Sequence, residues 1–145
     1  MHSPNMAALT QTTALTSSAA RKIVEAAEKA AAKLKVGVVI AVTDGGANLL
    51  CLQRMDGAPI GSITVAQDKA RTAVLFKTPT KEYESWLAGG LTSILKLDML
   101  PFEGGIPLMS DGQVVGAIGI SGGSATQDGQ IAQAGVNWLA KELGQ

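Results

Sequence analysis

The sequence predicts an α/β domain in which a hairpin-built, antiparallel sheet is flanked by helices on both faces. Three observations carry that prediction. Asp44-Gly45-Gly46 and Asp111-Gly112 each separate two apolar runs, the pattern of antiparallel hairpins. The runs Val36–Thr43 and Ala47–Met55 are apolar on both faces up to Gln53 and Arg54, whereas a sheet with one wet face would alternate. Helix-favouring segments lie before, between and after the hairpins.

From about Ser17 to Leu34 the chain is alanine-rich, and Ala20, Ile23, Ala27, Ala30 and Leu34 form a stripe at i, i+3 or i+4 spacing. Glu25 and Lys29 add a pair in the favourable i,i+4 order. After the first hairpin a helix is expected from about Ser62 to Lys77, carrying Asp68, Lys69 and Arg71. Thr78-Pro79 stops it, and Pro79 opens a short helix through Trp86 that Gly89-Gly90 breaks. Leu91–Leu97 reads as a further short helix. From Leu100 to Gly123 the chain reads as a glycine-hinged loop, a strand, a tight turn at Asp111-Gly112, and a second strand ending in another glycine loop. In that second strand Val114, Gly116, Ile118 and Ile120 are expected on one face. Val115, Ala117, Gly119 and Ser121 are expected on the other, whose small residues admit a close-packed helix or a ligand. Ser124 and Gln127 have capping-box spacing for a last helix, Ala125 to Leu143, with Ile131, Ala134, Val136, Leu139 and Leu143 as its apolar side.

The 145 residues suit one domain, residues 17–145, preceded by a flexible tail over residues 1–16 in which Met6-Ala7-Ala8 offers an alternative start. Formal net charge is zero and aromatics are 3%, which leaves neither a basic surface for a polyanion nor stacking platforms for single strands. Nucleic acid is therefore not an expected partner. No run approaches the roughly 18–20 apolar residues that span a bilayer, and no compact apolar block follows a basic start. Cys51 is the single cysteine, so a disulfide framework is excluded and a reducing, cytoplasmic setting is expected. Apolar residues at 46% against 17% charged favour a homo-oligomer whose contacts cover the surplus.

Several strings occur together in one order: Val39-Ile40-Ala41-Val42-Thr43-Asp44-Gly45-Gly46, Arg54-Met55-Asp56-Gly57-Ala58 and Asp68-Lys69-Ala70-Arg71-Thr72-Ala73. They continue with Gly104-Gly105-Ile106-Pro107, Gly116-Ala117-Ile118-Gly119-Ile120-Ser121-Gly122 and Gln127-Asp128. With the alanine-rich first helix, this set resembles the GlcG/HbpS-like family, often labelled a haem-degrading domain and related to the carboxy-terminal domain of PduO-type proteins. The resemblance covers nearly everything after residue 17. It implies a profilin-like α/β/α sandwich with a central antiparallel sheet, and assembly ranging from dimers to octamers. It also implies binding of haem or related cofactors, or an accessory role in small-molecule catabolism, without a defined reaction.

Haem needs an apolar slot, an axial ligand and cations for its propionates. His2 is the only histidine and falls in the expected tail, which leaves Tyr83, Cys51 and methionines such as Met99 and Met109. Of these Tyr83 is the candidate ligand, while Cys51, between Leu50 and Leu52, reads as a buried inert thiol. For an anionic small molecule the candidates are Arg54, Lys69 and Arg71, with backbone N–H groups of Gly104-Gly105 and of the Ser121-Gly122-Gly123 loop. The competing reading makes the three cations surface or interface charges paired with Asp56, Asp68 or Glu103, and Ser124 a helix cap.

Triad-type nucleophilic catalysis and His- or Cys-ligated zinc both lack a positioned histidine, and no resident metal is expected. Glu103, ahead of two glycines, is the one carboxylate placed to act as a general base. The leading expectation is a homo-oligomeric accessory protein that binds an organic acid or cofactor-sized molecule near Gly104-Gly105. Two alternatives stay open: a cofactor-independent lyase or isomerase using Glu103 with Arg54, and a haem-binding or haem-degrading protein.

Overall fold

The structure, a computed structural model, describes residues 7–145; His2 and Met6 lie outside the described residues. Its elements are α1 (Ser17–Lys33), β1 (Val39–Asp44), β2 (Leu49–Arg54), α2 (Ser62–Phe76) and α3 (Thr80–Ala88). A 3-10 turn (Thr92–Lys96), β3 (Gly105–Ser110), β4 (Gln113–Ser121) and α4 (Ala125–Glu142) complete it. The strands form one four-stranded antiparallel sheet in the order β2-β1-β4-β3.

Both faces of the sheet are covered, as the two-sided apolar runs require. Ile23 and Ala27 of α1 and Ile131 and Leu139 of α4 pack with Ile40, Val42, Leu108, Ile118 and Ile120 on one face. On the other, Ala66, Ala70 and Ala73 of α2 meet Val39, Ala41 and Ala117. The central strand β1 is buried almost throughout, whereas β2, at the edge, is only half-buried. Burial of these side chains, at roughly 25 cal/mol per Å² of apolar surface, is the main force holding the layers together.

Local signals explain most element ends. Thr16 accepts the Ala19 N–H at the start of α1, and residues 7–16 before it carry no helix or strand. Lys77, at φ 52°, ends α2 one residue short of the expected boundary, and Pro79 caps α3 rather than opening it. The Leu91–Leu97 segment forms the tighter 3-10 turn in place of an α-helix. Asp111 and Gly112 both take positive φ, 49° and 76°, as a two-residue hairpin demands. The first hairpin differs. Its left-handed residue is Ala47, at φ 66°, and neither Gly45 nor Gly46. Asp44 organises that turn by accepting the N–H groups of Gly46 and Asn48, each at 2.9 Å. The bond from the Asn48 backbone holds the Asp44 carboxyl below the ordinary carboxylate range.

The expected division of β4 into two faces is wrong at one end. Pairing jumps from Leu108–Gly116 to Met109–Val114, so Val115 is the extra residue of a bulge. The bulge resets the alternation. Val115 joins Ile118 and Ile120 against α1 and α4, while Val114 turns towards α2. The small-residue face is there from Ala117 onwards, and its neighbour is the helix α2.

Ser124 and Gln127 form the expected capping box, with Ser124 Oγ accepting the Gln127 N–H and Gln127 Oε1 accepting the Ser124 N–H. Ser124→Ala is expected to cost about 1 kcal/mol, read by urea denaturation. A change within error would show that the start of α4 is held by its tertiary contacts alone.

Candidate functional site

At the β3 edge the buried backbone of Gly104 and Gly105 lies between the start of α3 and the first half of α4. An open cleft of about 280 Å3 lies there. Pro79 and Lys81 come from the α3 side, Glu103 and Ile106 from the β3 edge, and Thr126, Gly129, Gln130 and Gln133 from α4. It lies just under the roughly 300–1,000 Å3 usual for drug-sized ligands. Its size suits a small metabolite.

Two close contacts fix the cleft floor. Thr80, fully buried, accepts the Gly105 N–H at 2.9 Å and donates to the Gly105 carbonyl at 3.3 Å, which ties α3 to β3. Gly104, at φ 130°, leaves a gap filled by Lys69 Nζ, which would lie 3.0 Å from a Cβ placed there. Through that gap Lys69 donates to Asp128 Oδ2 at 3.0 Å and to the Ile120 carbonyl at 2.8 Å. Asp128 in turn accepts the Gly123 N–H at 2.9 Å. Helices on opposite faces of the sheet, α2 and α4, are thus joined behind the cleft by one buried ion pair.

The carboxylate of Glu103 rests directly on the Cα of Gly129, where any side chain would overlap its Oε2. It is half-buried, and among the described residues it makes no hydrogen bond or ion pair. Lys81 is exposed on the same cleft and likewise has no ion-pair partner among the described residues.

The structure disperses the other candidate residues. Arg54 ends the far edge strand β2, in one cross-sheet row with Val39 and Ser121. Three strand spacings separate it from β3, roughly 14 Å at the usual spacing. Lys69 faces inward and is spoken for by Asp128, while Arg71 pairs with Asp98 at 2.6 Å on the surface. Neither uses the acidic partners considered for them, Asp56, Asp68 and Glu103. Ser121 donates to Ser62 at 3.1 Å, and Gly122 packs its backbone against that of Gly37. The N–H groups of Gly105 and Gly123 go to Thr80 and Asp128, so they are not displayed to a ligand. Of the residues singled out in the sequence, the cleft keeps Glu103, Gly104 and Gly105. Lys81, Thr126, Gln130 and Gln133 complete it, and Gly129, a glycine inside a helix, was the readable sign of a close approach.

Tyr83 is buried on α3 between Phe76 and Trp86, edge-on to both at centroid distances of 5.9 and 5.1 Å. Cys51 is half-buried against the core. Among the described residues no group of three or more His, Cys, Asp or Glu side chains is placed to hold a metal ion, and no helix is long and apolar enough to cross a membrane.

Residues 15–137 match the family described as haem degrading protein HbpS-like. Protein GlcG of Escherichia coli K12 is 43% identical over 104 residues, covering 70% of this chain and 77% of that protein. A double mutant of HbpS from Streptomyces reticuli superposes with a TM-score of 0.84 at 38% identity, over 96% of each chain. A crystal structure of a PduOC–haem complex superposes with a TM-score of 0.78 at 36% identity, over 86% of this chain and 94% of that one.

Proposed function

The chain belongs to the HbpS-like family, and from that premise we propose that it is an accessory protein that binds a small organic acid in the cleft at Glu103 and Lys81. The observation that carries this reading is the unpaired Lys81 on a metabolite-sized cleft with a polar α4 wall and an apolar side at Pro79 and Ile106. Such a wall fixes orientation through a few polar groups while apolar contacts supply affinity. The protein acts as a homo-oligomer in the cytoplasm. Exposed Trp86, Leu91, Leu95 and Leu97 around α3 and the 3-10 turn support the first point, and the free Cys51 the second.

Titration calorimetry with short-chain carboxylates tests it. Lys81→Met is expected to weaken a saturable interaction by about ten-fold or more, the loss of one charge-assisted hydrogen bond. Absence of binding by every acid tried on the unaltered protein would refute it.

Haem is the second reading, favoured by the likeness to haem-bound PduOC. The cleft itself does not fit haem: it is small, and the only histidine of the chain is His2. Tyr83, the candidate ligand, is enclosed by aromatic rings. The lyase or isomerase alternative loses its pairing of Glu103 with Arg54 within one chain, because the sheet holds them on opposite edges.

A further inference from the structure

We infer that the cleft recognises an ammonium group beside a carboxylate, so that its ligand is an α-amino acid; this rests on the cleft being a small-molecule site. The carboxylate of Glu103 lies against Gly129, half-buried, with no donor from the described residues. A carboxylate offers about four acceptor positions, and partial removal from water makes leaving them empty costly. Lys81 lines the same cleft and makes no ion pair with it. The cleft therefore presents one negative pole and one positive pole, neither paired with the other.

A plain carboxylate ligand answers only Lys81 and brings a second negative charge towards Glu103. A hydroxy acid offers Glu103 a single neutral donor. An ammonium offers three donors and adds the attraction of opposite charges, which a hydroxyl bonded to the same carboxylate lacks. A zwitterion matches both poles without changing the net charge of the cleft. Pro79 and Ile106 give the aliphatic part of the ligand an apolar wall, and Thr126 and Gln130 border it with polar groups.

Calorimetric titration of the full chain with two matched series tests the inference. Alanine and norvaline are compared with lactate and 2-hydroxyvalerate, which differ only in the group offered to Glu103. The amino acids are expected to bind about ten-fold or more tightly than the hydroxy acids. Glu103→Gln should abolish that preference while hydroxy-acid binding persists. Gly129→Ala, which pushes the carboxylate aside, should weaken amino-acid binding in the same direction. Equal or tighter binding of the hydroxy acids, or an amino-acid affinity unchanged in Glu103→Gln, overturns the inference and leaves Lys81-dependent acid binding standing. Failure of both series to bind overturns the two readings together.

Discussion

Gly119→Ala is expected to destabilise the protein by more than about 3 kcal/mol, the upper end of what overpacking a core costs. Gly119 lies on β4, paired to β1 and β3 on either side, and faces α2. A Cβ there would overlap the Ala66 carbonyl oxygen and lie 2.6 Å from the Ala70 nitrogen and 3.0 Å from the Ala70 Cβ. Two of these are helix backbone atoms, which no rotamer change moves. Withdrawing α2 as a body would unpack Ala66, Ala70 and Ala73 and draw Lys69 away from Asp128. Gly45 is the matched control, since the nearest atom to its added Cβ is 3.8 Å away. Gly45→Ala should stay within about 0.5 kcal/mol of the parent. Urea denaturation of both variants decides it. A Gly119→Ala loss below about 1 kcal/mol would mean that α2 slides on the sheet more freely than this packing allows.

The alternation of small residues that makes this contact possible could be read from the sequence, as could helices on both faces, the Asp111-Gly112 turn and the capping box. Those features are local, and each depends on residues within a few positions of one another. The bulge at Val115 is not legible in the sequence, because pairing with β3, and not the alternation of residue types along β4, decides the phase. Ala47, and neither of the two glycines before it, takes the left-handed position, because the Asp44 side chain organises that turn through Gly46 and Asn48.

The candidate site was legible only in part, for a related reason. Arg54, Lys69 and Arg71 are close along the chain, but the β2-β1-β4-β3 order sends Arg54 to the edge opposite Glu103. Lys69 carried an unused signal. It lies three residues after Ala66 and one before Ala70, on the inward face of α2, where a lysine needs a buried partner. Lys81 gave no signal, since an exposed lysine on a short helix reads as a solvated side chain. Only the folded arrangement around the β3 edge places it on the cleft with Glu103 and the α4 residues.

The buried pair behind the cleft is where loss of one side chain is expected to affect stability and binding together. Lys69→Met leaves the Asp128 carboxylate about as buried as before, 4% exposed, with only the Gly123 N–H to satisfy it. Breaking a buried pair in this way typically costs about 3–5 kcal/mol. Replacing both partners, Lys69→Met with Asp128→Leu, removes the stranded charge and should cost less than the two single changes added. It should not restore full stability, because the Ile120 carbonyl and the Gly123 N–H also lose their partners. A coupling energy of about 2 kcal/mol or more is expected from the four denaturation curves, and one below about 0.5 kcal/mol would show that the residues act independently. Asp128 immediately precedes Gly129, the seat of Glu103, and Thr126 lies in the same first turns of α4. The single variant should therefore lose ligand affinity at temperatures where it is still folded, because the pair fixes the helix against which the Glu103 carboxylate is held.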